Sequence, residues 1–103
     1  WAAAMRERLE GDAHESLATL AGYFAGREDF DSAALCMERV LRANRYNEEA
    51  AYLLARYRSR AGEAVQALKF IDDFSSSYLD EFGERPPVRF GELRAAIAAG
   101  VAV

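Results

Sequence analysis

Residue types able to carry chemistry are sparse in this 103-residue chain: one histidine, His14, one cysteine, Cys36, a serine run at Ser75-Ser76-Ser77, and the acidic doublets Asp72-Asp73 and Asp80-Glu81. A metal centred on His14 would need its other ligands from carboxylates or from Cys36, which falls in a different helix. A solvated histidine beside Glu15 at an exposed helix start is the expected reading. Cys36 lies between Leu35 and Met37 on a core-facing stripe, where a free thiol behaves as a small hydrophobe. A catalytic thiolate needs a base and an electropositive opening, and the neighbouring sequence offers neither. The chain has no glycine-rich phosphate loop, no Cys-x-x-Cys pair and no histidine pair at i, i+4. The expectation is therefore a protein that is not an enzyme, with no catalytic residues, no metal and no cofactor. The serines read as low-bulk helix positions between Phe74 and Tyr78. The acidic doublets read as a solvated face that could pair with basic residues of a partner.

Composition narrows the class further. With 51% hydrophobic and 29% charged residues, 7 Gly and 2 Pro, the chain is one folded domain spanning residues 1–103. A chain of this length buries roughly 65% of its unfolded surface, enough for one core but not for a large cofactor pocket. The net charge of -4 argues against direct contact with nucleic acid phosphates. A lone cysteine makes no internal disulfide, which fits a reducing cytoplasm. No apolar run approaches the roughly 18 residues of a membrane span, and Trp1–Leu9 lacks the pattern of a signal peptide. A start at Trp1 without an initiator Met suggests a piece of a longer chain.

The elements that would position any site come from an internal repeat. A shift of 34 residues lays Leu20 on Leu54, Ala21 on Ala55, Ala33 on Ala67, Met37 on Ile71 and Val40 on Phe74. The units run over about 14–47 and 48–81, each as two helices. In the first, Leu17, Leu20, Ala21 and Phe24 share one helical face. Asp29 is placed to cap a second helix that carries Ala33, Met37, Val40 and Leu41 inward. Asn44 or Asn47 would cap at the junction. In the second unit Tyr52 to Arg60 forms the first helix and Gly62 breaks it. The following stripe of Ala64, Ala67, Leu68, Ile71 and Phe74 continues through Ser75, Tyr78, Leu79 and Phe82, ending at Gly83. Pro86-Pro87 make a rigid turn, after which Val88, Phe90, Leu93 and Ile97 predict a capping helix over about 88–99. Ala2–Glu10 is helix-forming, and Gly11 either interrupts it or is tolerated within one helix reaching Ala25. No segment alternates with the period of a strand, so the fold class is all-α, with five or six antiparallel helices.

The units resemble tetratricopeptide repeats, with Leu20-Ala21, Phe24, Ala33, Met37 and Val40 in one copy and Leu54-Ala55, Gly62, Ala64, Ala67, Ile71 and Phe74 in the other. Arg45 and Leu79 stand where the closing proline usually falls, and Arg58 replaces the expected aromatic. From about Glu15 to Gly100 the chain further resembles the bacterial transcriptional activator domain. The resemblance rests on Asn44–Ala50, Arg60–Leu68 and the Leu79-Asp80-Glu81-Phe82-Gly83-Glu84-Arg85-Pro86 element before a helix containing Leu93. Asn44-Arg45 stands where that family has Asp-Pro. The resemblance implies a right-handed tetratricopeptide-like helical array that follows a winged-helix DNA-binding domain. It also implies a part in transcription activation, oligomerisation and protein contacts.

In tetratricopeptide folds the inner face of each first helix lines a groove for a partner peptide or helix. Here those positions are Glu15, Ala18, Gly22 and Ala25, then Glu49, Tyr52, Arg56 and Ser59. The first set is small, so either Ala2–Leu9 packs there as a cap or a partner helix does. Tyr52 and Arg56, one turn apart, combine an aromatic ring with a guanidinium. Expected partners are proteins: an RNA polymerase subunit, the chain's own DNA-binding domain, or a second copy covering a remnant such as Phe70, Phe90 or Tyr78. The alternative is a general scaffold or adaptor holding a peptide with no link to transcription.

Overall fold

The structure, a computed structural model, describes residues 15–103. The expectations placed on Ala2–Glu10, Gly11 and His14, and with them a sixth helix, lie outside the described residues. Capping chemistry sets most of the boundaries. Residues 15–26 are helical (α1). Asp29 then starts α2 (Phe30–Ala43): its Oδ1 accepts from the Ser32 N–H at 3.2 Å and its Oδ2 from the Ser32 hydroxyl at 2.8 Å. Both junction asparagines are used. Asn44 closes α2 by donating its N–H to the Val40 carbonyl, while Asn47 starts α3 (Glu48–Arg60) by accepting from the Ala50 N–H at 3.0 Å. Glu48 and Glu49 favour that positive helix end, and the helix therefore begins four residues before Tyr52. The helix α4 (Ala64–Phe82) overruns its unit as the apolar stripe predicts and stops at left-handed Gly83 (φ 73°). After Pro86-Pro87 comes α5 (Val88–Ala98). Among the described residues there are five helices and no strand.

Residue pairs fix the directions. Phe30 at the start of α2 stacks 6.3 Å from Tyr57 near the end of α3, and Tyr78 late in α4 donates its hydroxyl to Glu48 at 3.4 Å. Phe74 stacks on Phe90 at 5.2 Å and Asp72 meets Arg94, so α4 and α5 also run oppositely. By contrast α3 and α5 run the same way, with Glu49 beside Arg89, Tyr52 against Phe90 and Arg56 reaching Val103.

The 34-residue period is visible in hydrogen bonds. After α1, the N–H groups of Glu28, Asp29 and Ala33 donate to the carbonyls of Ala25, Phe24 and Asp29. After α3, those of Gly62, Glu63 and Ala67 donate to Ser59, Arg58 and Glu63, each 34 positions on. The residue turned left-handed is Glu28 (φ 60°) in one and Gly62 (φ 86°) in the other. The turn occurs a third time after α5. The N–H groups of Ala99, Gly100 and Val101 donate to Ala95, Ile97 and Ala96, matching the bonds of Ala61, Gly62 and Glu63 to Tyr57, Ser59 and Arg58 at a shift of 38. Gly100 has φ 75°.

Buried alanines recur at equivalent positions of the two units. Ala21 and Ala33 are 1% and 0% exposed in one cluster, and their repeat equivalents Ala55 and Ala67 are both 0% exposed in another. The rest of the first cluster is Ala34, Cys36, Met37, Val40, Ala50 and Leu54. Several positions differ from the sequence expectation. Leu20 is 43% exposed although its equivalent Leu54 is buried, because α3 is flanked on both sides while α1 ends the stack of described helices. Leu79 and Phe82 stand half out of the protein because α4 there runs past the start of α3. Phe90, expected as an exposed remnant, is buried between Phe74 and Tyr52, a burial that contributes about 1.5–3 kcal/mol. Phe70, expected at the edge, is half-buried, stacked 6.1 Å from Phe74 and packed against all three apolar clusters.

A left-handed glutamate is strained where a glycine is not. Glu28→Gly is expected to stabilise the protein by about 0.5–1 kcal/mol, and Gly62→Ala to destabilise it by a similar amount. An added Cβ at Gly62 would meet nothing within 4 Å, so backbone strain alone carries that loss. Urea unfolding of both variants checks the pair. Equal and opposite shifts identify the two turns as the same device.

Candidate partner-binding face

The exposed strip of α3 gathers most of the residues that the sequence singles out. Glu49 accepts from Arg89 of α5 at 3.3 Å, and the Arg89 guanidinium lies 4.9 Å from the centre of the Tyr52 ring. Arg56 lies 5.9 Å from the same ring and donates through Nε and Nη2 to the Val103 main-chain oxygen at 3.0 and 2.8 Å. Tyr52, Arg56 and Ser59 are half-buried and Glu49 is exposed. Next to Arg56, a recess of about 280 Å³ is lined by Ala25, Phe30, Arg56, Tyr57, Arg60 and Val103.

The α1 set is more dispersed. Ala25 reaches this recess, whereas Glu15 borders a different depression, with Ser16, Thr19, Leu20 and Tyr23. Ala18 and Gly22 are exposed, and Gly22 has open space where a side chain would stand. Arg60, Arg89 and Phe30 belong to the α3 strip although the sequence reading passed over them. Arg60 lies 5.1 Å from the Phe30 ring and one helical turn from Arg56, a spacing that could have marked it. Arg89 carried no such signal, because its place depends on how α5 docks beside α3.

Three guanidiniums beside aromatic rings make a surface suited to carboxylates and main-chain carbonyls, which Arg recognises through its planar fork. Burial pushes the Cys36 thiol above its ordinary value against the pull of Arg39, which favours its protonated form. Burial likewise raises the Tyr57 hydroxyl, with Arg56 opposing. Among the described residues no group of three or more His, Cys, Asp or Glu could hold a metal ion, and no helix is long and apolar enough to cross a membrane. Within the serine run, Ser77 accepts from Arg45 Nη2 at 3.2 Å, and its carbonyl accepts from the Tyr46 hydroxyl at 3.4 Å. Arg45, at the position of the missing proline, thus ties the junction to α4.

The native fold favours the Cys36 thiol over its thiolate. That stability is complete below the ordinary thiol pKa and is lost as pH rises through the raised one. At pH 8, iodoacetamide is expected to leave Cys36 unmodified in the native protein and to alkylate it in urea, as read by intact mass. Rapid native alkylation would contradict the burial.

Compared with protein-family models, curated proteins and solved structures, the chain matches none.

Proposed function

We propose that this chain is a protein-interaction and oligomerisation module, the non-catalytic effector domain of a cytoplasmic bacterial transcription regulator whose DNA-reading domain lies upstream. In this reading the helices form a right-handed tetratricopeptide-like array, and α1, α3 and α5 are the first helices of successive units. What supports it is the single turn geometry repeated after each of those three helices, together with buried alanines at equivalent positions. The biology rests on the resemblance to the bacterial transcriptional activator domain over Glu15 to Gly100. Its partner is a polymerase subunit or the regulator's own DNA-binding domain, and the contact face is the α3 strip around Tyr52 and Arg56.

In a bacterial reporter strain, this chain fused to an unrelated DNA-binding domain is expected to raise transcription from a promoter carrying that domain's site. Tyr52→Ala with Arg56→Ala should lose most of the activation while the fusion accumulates to the same level. A fusion that never activates removes the regulator reading and leaves the adaptor alternative. Activation indifferent to both substitutions removes the α3 strip as the contact face.

A further inference from the structure

No carboxylate lines the recess beside Arg56. The lining side chains that carry polar atoms are Arg56, Arg60 and Tyr57, and Ala25, Phe30 and Val103 complete the wall. Arg58, on the same helix, pairs with Glu38 and Glu63. Among the described residues neither Arg56 nor Arg60 forms a salt bridge. The Tyr57 hydroxyl, unlike those of Tyr23, Tyr46 and Tyr78, has no hydrogen-bond partner among them either. Burial favours its protonated form, so it is present as a donor. Carboxylates close by in sequence or charge are already engaged. Asp29, next to Phe30, is held by Ser32, and Glu49, which bears on Tyr57 from two turns up α3, is held by Arg89.

Val103 displays what the recess accepts. Nε and Nη2 of Arg56 both donate to its one main-chain oxygen, at 3.0 and 2.8 Å. A neutral carbonyl leaves the charge of Arg56 uncompensated, whereas a carboxylate offers an oxygen to each of two N–H groups and carries the opposing charge. Arg60, one turn on, lies 5.1 Å from the centre of the Phe30 ring. Its five N–H donors have no acceptor among the described residues. The volume of about 280 Å³ falls just below the roughly 300–1,000 Å³ of small-molecule sites, so the recess suits one side chain and not a helix.

We propose that this recess takes the carboxylate of an Asp or Glu side chain from a partner protein, seated between the guanidiniums of Arg56 and Arg60 and accepting from the Tyr57 hydroxyl. The assignment rests on the α3 strip being the contact face, and it gives the partner a chemistry. Charge complementarity selects the occupant: two cations and a phenol with no acid among them reject lysine and arginine and reward an anion that only accepts. The net charge of -4 over the whole chain disfavours nucleic acid as its source. Arg56 joins the recess to the strip, since its guanidinium also lies 5.9 Å from the Tyr52 ring. A segment that continues along α3 towards Tyr52 and Arg89 therefore enters the recess with a side chain and not with its end.

The test titrates the whole chain with the capped peptide acetyl-Gly-Val-Glu-Val-Gly-amide, with its Gln counterpart and with inorganic phosphate, followed by backbone and arginine side-chain NMR shifts. At millimolar concentration the Glu peptide is expected to shift Phe30, Tyr57, Arg60 and the Arg56 Nε, less so as salt is added, and the Gln peptide to shift none of them. Arg60→Gln should weaken binding by about tenfold or more, the equivalent of one charged hydrogen bond. Arg60→Lys should retain part of it. Arg39→Gln, which removes the same charge from an exposed position of α2, should leave it unchanged. Amide shifts away from the recess that match the parent chain show that each variant is folded. Equal shifts from the Glu and Gln peptides, or binding indifferent to Arg60→Gln, overturn the proposal. Tighter binding of phosphate, or of a Glu-free peptide with an uncapped carboxyl end, overturns it too by giving the recess a different anion. A fusion that activates through Tyr52 and Arg56 while the Glu peptide shifts nothing at the recess removes this assignment and leaves the contact face standing. Selective Glu-peptide binding by a chain whose fusion never activates supports the assignment and removes the regulator reading instead.

Discussion

Burial of small side chains, the alanines at equivalent positions of the two units, is the constraint from which the other features follow. Ala21 and Ala33 share one buried cluster and Ala55 and Ala67 another, and all four residues are almost wholly excluded from water. Helices paired in this way need connections with little slack. The left-handed residue at position 28 or 62 supplies the sharp reversal, and Asp29 or Glu63 then begins the return helix. Larger side chains surround these alanines. Met37, Ile71 and Phe74 belong to the surrounding clusters, and it is at these flanking positions that the units differ, Met37 against Ile71 and Val40 against Phe74, while the alanines are kept.

How much of this was legible in the sequence depends on whether the determinant was local. Asp29 and Gly83, and the overrun of α4 to Phe82, are set by residues within a turn of where they act, and the sequence places them correctly. The failures at Leu20, Leu79, Phe82 and Phe90 share a cause. Periodicity shows that a residue belongs to an apolar face but not whether a neighbouring helix is long enough, or present, to cover it. Leu20 and Leu54 occupy equivalent positions with the same side chain, yet one is exposed and the other buried. The binding face divides the same way. Tyr52 and Arg56 could be read from their spacing on one helix. Arg89 and Val103 join them only through the docking of α5, which the sequence does not encode in any local pattern.

That docking also changes the meaning of Tyr52 and Arg56. Glu49, Tyr52 and Arg56 each have an intramolecular partner in α5 or just after it: Arg89, Phe90 and the Val103 carbonyl. Anything binding at the strip must either add to these contacts or replace the Val103 interaction with a carbonyl or carboxylate of its own. The bond between Arg56 and Val103 displays the chemistry such a group would need.

The overrun of α4 has a consequence in angular terms. The three turns are spaced 34 and then 38 residues apart, so the second interval is longer by four residues. Within that interval α4 has 19 residues where α2 has 14, and the five additional residues advance an α-helix by about 500° and about 7.5 Å. The end of the helix therefore moves outward, and Tyr46 closes on Phe74, Tyr78 and Phe82 along that length. The second unit thus gains an apolar end at Leu79 and Phe82 that the first does not have, while the core packed on Ala67 and Ile71 keeps the register of the first.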